Sequence, residues 1–153
     1  MDIRVATMSD KKEVLRLLDE FGSMLKAKVA PSEVGESIFD EVIGRKDTKI
    51  FVAEEEGRLI GVATFYVLPN IRHGWHRGHI EDFFVTAGEQ GKGVGKKIFE
   101  FIQHFCKQNN IKVIKLDSGN ELLQAHAFYE KLGGRTTERF FDLILHRECL
   151  KYE

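Results

Sequence analysis

Ile80-Glu81-Asp82-Phe83-Phe84-Val85 runs on, four residues later, into Gln90-Gly91-Lys92-Gly93-Val94-Gly95-Lys96-Lys97. An apolar run precedes three glycines in five residues, and an amphipathic segment follows them. Glycine lets a backbone turn tightly and present its N–H groups without a Cβ in the way. If a helix begins near Val94, those N–H groups and the positive end of the helix dipole converge on one point. Phosphate oxygens suit such a point, and Lys92, Lys96 and Lys97 add positive charge beside it. A glycine-rich turn without a ligand fits the same local residues.

Beyond the loop, Val94, Ile98, Phe101, Ile102 and Phe105 recur at helical spacing until Gln108-Asn109-Asn110. A short strand over 112–116, a turn at Asp117-Ser118-Gly119-Asn120 and a helix over about 121–132 follow, stopped by Gly133-Gly134. A last strand is predicted over 140–146. Upstream, Ile3, Val5 and Ala6 suit an opening strand, and Asp10 with Glu13 resembles a capping box. Val14, Leu17, Leu18, Phe21 and Leu25 then mark the apolar face of a first helix. A second helix from about Glu33 turns Val34, Ile38, Val42 and Ile43 inward and stops at Gly44. Residues 49–54 and 59–68, joined at Glu55-Glu56-Gly57-Arg58, read as an antiparallel hairpin. Residues 69–78 read as a polar loop carrying Trp75, before a strand over 79–86 in which alternation sends Glu81 and Asp82 to opposite faces. The order β-αα-βββ-α-β-α-β describes one mixed α/β sheet in a single domain, 1–153.

Composition narrows the function classes. A chain of 153 residues is long enough for one substantial core, and 42% hydrophobic with 31% charged residues is ordinary for a globular protein. A net charge of -1 provides no basic field for nucleic acid or an anionic membrane. No apolar run approaches a membrane span, and Met1-Asp2-Ile3-Arg4 lacks the apolar core of a secretory signal, so a cytoplasmic setting is expected. Cys106 and Cys149 form no C-x-x-C pair, and neither a disulfide framework nor a metal site is expected. His73, His76 and His79 are evenly spaced but lack a Cys or carboxylate at ligand spacing.

Two familiar phosphate motifs fail on spacing. A dinucleotide fingerprint starting at Gly91 needs glycine where Lys96 stands, and a P-loop ending at Gly95-Lys96 needs glycine at Gln90 and Ser or Thr at Lys97. The pattern that fits is Gln-x-x-Gly-x-Gly at Gln90, Gly93 and Gly95, after a Phe-Phe-Val strand. With it goes the run Ala125-His126-Ala127-Phe128-Tyr129-Glu130-Lys131-Leu132-Gly133. On these two motifs the chain resembles the GNAT superfamily of acyl-coenzyme A-dependent N-acyltransferases, over nearly its whole length. It departs from the family pattern at Gly134, where an aromatic or apolar residue is usual; Gln90 stands where Arg is usual, a replacement the family pattern also accepts.

The resemblance implies a mixed, mostly antiparallel sheet with two splayed central parallel strands, over 79–86 and 112–116, flanked by about four helices. Acetyl-CoA as co-substrate would lie between those strands. The pyrophosphate would meet the backbone of Gln90, Gly91, Lys92, Gly93, Val94, Gly95 and Lys96, and the pantetheine arm that of Phe83, Phe84 and Val85. Asn120, Phe128, Tyr129 and Lys131 would complete the cofactor site, with Tyr129 protonating the departing thiolate. Glu81 is the candidate base, because Glu-Asp-Phe-Phe-Val is similar to the strand of diamine and polyamine acetyltransferases, where the Glu has that role; His79 is a second candidate. Asn120 equally suits a helix N-cap. Glu33, Trp75 and Glu81 would face the acceptor, a carboxylate-and-aromatic surface that suits a small cationic amine. A protein lysine or N-terminal acceptor, and a non-catalytic acyl-CoA sensor or partner-binding domain, fit the same motifs. Many relatives dimerise through terminal strands, and 140–145 could supply such an edge for a homodimer.

Overall fold

The computed structural model describes residues 1–27 and 30–145. Among them the chain forms β1 (Asp2–Val5), α1 (Lys11–Met24), α2 (Ser32–Gly44), β2 (Thr48–Glu55), β3 (Arg58–Asn70), β4 (Trp75–Val85), α3 (Val94–Gln108), β5 (Ile111–Leu116) and α4 (Leu123–Lys131). Its contacts divide it into two compact units, Met1–Lys115 and the chain from Leu116 onward.

In the first unit the strands lie side by side in the order β1-β2-β3-β4-β5. The first three pairs are antiparallel, and β5 returns to the side of β4 after the α3 crossover, so the sheet is mixed. Period-two alternation divides the strand residues between two faces. Ile50, Val52, Val62 and Phe84 pack with Val14 and Leu17 of α1 and Phe39 of α2. On the other face the Phe51 ring meets Phe65, Phe101 and Phe105 edge-on, with centroids 5.8, 5.7 and 5.4 Å away. Phe51 and Phe65 are fully enclosed there, each worth roughly 1.5–3 kcal/mol in burial alone.

Several local details differ from the sequence reading. The capping box lies one turn earlier: Asp10 Oδ2 accepts the Thr7 N–H at 2.7 Å and closes a 3-10 turn, Met8–Asp10, while Glu13 pairs with Arg16 instead. In α2, Val34 and Ile38 are 51% and 53% exposed and Phe39 is buried. Two apolar stripes run along that helix, and the larger ring took the sheet. The expected loop over 69–78 is mostly strand, since Pro69 pairs with His76 and Asn70 with Trp75, leaving residues 71–74 as the turn.

Asp10 also fixes the start of α1 to β1. Arg4 donates to both Asp10 oxygens at 2.8 Å and to Glu54 at 2.6 Å. The Arg4 guanidinium, with smaller help from Thr7, holds the Asp10 carboxyl well below the usual carboxylate range despite its burial. A depressed value stabilises the fold above the unfolded pKa, and that stability drains away as pH falls below about 4. Asp10→Asn is therefore expected to cost about 2 kcal/mol at pH 7. Thermal melts of both proteins from pH 7 to pH 3 check this: the gap closes toward the acid end, and an unchanged gap contradicts the assignment.

In the second unit α4 ends in a Schellman motif. Gly133, at φ 87°, donates to Glu130 O at 2.9 Å, and Gly134 donates to Tyr129 O at 2.9 Å. A Cβ on Gly134 would stand 2.8 Å from Tyr129 O, which accounts locally for glycine at the position where the family pattern has a larger residue. Residues 140–145 are not a strand: they are irregular, with Phe140, Phe141, Leu143 and Leu145 exposed. His146 and Cys149 lie outside the described residues.

Candidate active site

The β4–α3 junction has the geometry that its glycines imply. Gly91 and Gly93 take φ of 77° and 85°, the left-handed region that costs any other L-residue roughly 1–2 kcal/mol. A Cβ at either would meet nothing within 4 Å, so conformation and not crowding requires glycine, and the space before the loop is open. Gly93 is the N-cap of α3 and offers no side-chain cap, and the first intrahelical bond is Lys97 N–H to Gly93 O at 3.1 Å. The N–H groups of Val94, Gly95 and Lys96 are thus left to an outside acceptor. Val94 is buried and anchors the turn. Lys92 pairs with Glu89 at 3.1 Å and Lys96 with Glu100 at 3.7 Å, exposed pairs of little strength that an incoming anion can displace. Gln90 turns its amide back to Val85 O at 2.8 Å, so its side chain braces the loop. Gly93→Ala is expected to weaken coenzyme A binding about tenfold by shifting these N–H groups; calorimetry on both proteins checks it, and equal affinity contradicts it.

The side chains before the loop belong to the core. Phe84 stacks on Phe21 at 5.3 Å, Phe83 lies 6.3 Å from Phe99, and Val85 is buried. One strand position earlier the ladder slips: Ala63 faces Phe83 and Phe65 faces Ile80, so Glu81 and Asp82 together oppose Thr64. This β-bulge overturns the expected alternation of the two carboxylates. Thr64 Oγ1 donates to Asp82 Oδ2 at 2.7 Å and accepts the Asp82 N–H at 2.9 Å. Burial pushes the Asp82 carboxyl above its ordinary range, the Thr64 hydroxyl pulls it back in part, and the Glu81 charge adds to the rise. Glu81 has a 61% exposed side chain and meets His79 Nε2 at 3.1 Å. Tyr66, paired with His79 across the strands, is pushed up by burial and then by the charges of Asp82 and Glu81. One patch of sheet therefore carries Glu81, Asp82, His79 and Tyr66.

Trp75 stacks on His73 with centroids 4.9 Å apart at the β3–β4 turn. Glu33 is exposed on the first turn of α2 and makes no hydrogen bond or ion pair with Trp75 or Glu81. In the second unit the N-cap of α4 is Leu122, not Asn120, which lies in the preceding turn, exposed. Phe128 and Tyr129 meet edge-on at 5.3 Å, Lys131 is the last residue of the helix, and burial pushes the Tyr129 phenol up to about 12. On the β5–α4 loop, Ser118 Oγ is buried with no hydrogen-bond partner among the described residues. Cys106 is buried on α3 and its thiol is raised to about 11, which leaves no thiolate for chemistry near neutrality. Among the described residues no cluster of His, Cys, Asp and Glu suits a metal ion.

A family model described as the acetyltransferase (GNAT) family matches residues 14–134. The chain belongs to the GNAT acetyltransferase family. It is 34% identical over 99 residues to a glucosamine 6-phosphate N-acetyltransferase of Trypanosoma brucei brucei, a match spanning 64% of this chain and 65% of that enzyme. A glucosamine 6-phosphate N-acetyltransferase of Arabidopsis thaliana is 28% identical over 135 residues, 86% of this chain and 87% of that enzyme. A solved structure described as a transcriptional regulator from Bacillus halodurans C-125 shares the fold, with TM-score 0.84 at 21% identity over 94% of this chain and 99% of that one. The GNAT motifs fall one in each unit, the glycine loop in the first and the Phe128-Tyr129 helix in the second. In this GNAT chain the pairing of Asp82 with Thr64 has no local signal: the adjacent carboxylates are plain in the sequence, but a bulge depends on the residue count of the neighbouring strand.

Proposed function

We propose that this chain transfers the acetyl group of acetyl-CoA to a primary amine, by direct attack of the amine within a ternary complex. The observation that supports it most is the β4–α3 junction, where left-handed Gly91 and Gly93 leave the N–H groups of a helix start open to a pyrophosphate. When bound, acetyl-CoA supplies an activated thioester. The backbone over 91–96 holds its pyrophosphate, and the backbone of Phe83, Phe84 and Val85 lines its pantetheine arm. Glu81, exposed and paired with His79, takes the proton that an ammonium must lose before it attacks. Asp82 keeps a second carboxylate beside it. Tyr129 holds a proton for the departing sulfur, and with its phenol near 12 it is fully protonated throughout the neutral range.

The acceptor is a small amine. The relatives named for glucosamine 6-phosphate favour an amino sugar phosphate, while Glu81, Glu33 and Trp75 favour a cation. Free-thiol release from acetyl-CoA, measured with glucosamine 6-phosphate, polyamines, aminoglycosides, amino acids and lysine peptides, separates them. Turnover with one small-amine class is expected. Coenzyme A binding without turnover on any amine would replace this reading by a non-catalytic acyl-CoA-binding domain. Turnover on peptides alone would replace it by a protein acetyltransferase.

A further inference from the structure

We propose that Glu20, on the far side of the chain from the glycine loop in sequence, is the positioning residue that sets the loop's affinity for its anionic ligand. This inference rests on reading the loop as the coenzyme A pyrophosphate site. Glu20 lies on α1, and its Oε1 accepts the Thr86 hydroxyl at 2.5 Å and the Ala87 N–H at 3.3 Å. Those are the first two residues after β4, and Ala87 opens the 3-10 turn, Ala87–Glu89, that leads into Gln90 and the glycines. Thr86 offers that turn no side-chain cap, so the carboxylate from α1 satisfies an N–H that the turn itself leaves open.

The other end of the tie is equally fixed. Glu20 Oε2 pairs with Arg16 at 3.4 Å, and Arg16 donates to Leu59 O at 2.7 Å and pairs with Glu13 at 3.0 Å. Thr86 N–H in turn reaches Ile60 O at 3.0 Å. Arg16 and Thr86 therefore both rest on the start of β3, and Glu20 bridges them. One residue further along α1, Phe21 stacks on Phe84, so the helix is packed against β4 where the loop departs. A carboxylate near a phosphate-binding loop works against an anion by Coulomb repulsion. Its place here is explained by holding the loop, with Arg16 offsetting its charge. A loop ordered before binding loses less conformational entropy when the ligand arrives, and this appears as affinity.

The test compares Glu20→Ala, Glu20→Gln and Thr86→Val with the wild type by calorimetry with coenzyme A, steady-state kinetics and thermal melting. Glu20→Ala and Thr86→Val are each expected to raise Kd and KM for the coenzyme about tenfold, with kcat within about twofold. The double variant is expected to be little worse than either alone, because both remove one interaction. Glu20→Gln keeps the acceptor oxygen and is expected to bind within about threefold of wild type. Hydrogen exchange without ligand is expected to speed up over 86–93 in Glu20→Ala. Unchanged affinity in Glu20→Ala overturns the proposal, as do equal losses of kcat, affinity and melting temperature in both Glu20 variants. A wild type that binds no coenzyme A overturns the reading of the loop itself, and the exchange rates then report separately whether Glu20 holds it.

Discussion

Replacing Tyr129 by Phe is expected to lower kcat about a hundredfold while the affinity for coenzyme A stays within about twofold. The phenol is half-buried against Phe128 on a helix capped by Gly133 and Gly134, so removing one oxygen leaves the packing intact. Burial has pushed its pKa up to about 12. That sets two consequences with definite signs. The proton is never lost in the working range, so no alkaline limb from this group appears in the rate below about pH 11. The same shift makes the phenol a reluctant donor, which places its contribution at the lower end of the roughly 10²–10⁴ range for general acids. Single-turnover rates and calorimetry on Tyr129→Phe measure both halves. A kcat loss under about threefold would show that the thiolate leaves unaided.

The second large effect is expected at the bulge. Glu81→Gln should reduce kcat/KM for the amine about a hundredfold at pH 7. The deficit should shrink as pH rises toward the amine's own pKa, near 10 for an alkylammonium, because more of the acceptor then arrives deprotonated. Asp82→Asn is expected to cost less, since its carboxylate is committed to Thr64. The two carboxylates can be told apart by sign. Asp82 is raised above the ordinary carboxylate range, so if it were the base, activity would fall off on the acid side above about pH 4. That limb would vanish in Asp82→Asn, while Glu81→Gln would stay near wild type. Such a result would move the base by one residue along β4.

Elements with a local cause were legible. The apolar period of Val94, Ile98 and Ile102 defines α3, and all three are buried. The turn at Glu56 and Gly57 is formed by two left-handed residues between β2 and β3, as the hairpin spacing requires. Where several residues could serve equally well, local pattern could not choose. Val34 and Ile38 fit a buried helix face as well as Phe39 does, and 140–145 reads as a strand by composition although no ladder forms over those residues.

By itself, the sequence determined the loop and the family. Glycine spacing carries φ, and φ is a property of single residues, so Gly91 and Gly93 take their left-handed turns without help from any neighbour. The tertiary structure alone decided which side chains meet along β4 and the loop that follows it. Glu81 and Asp82 share Thr64 because β3 has one residue fewer at that point, and Gln90 braces Val85 instead of reaching outward. Glu20 meets Thr86 across 66 positions of chain because α1 packs on β4. Pairings of this kind depend on the register and packing of distant segments, and no local pattern encodes them.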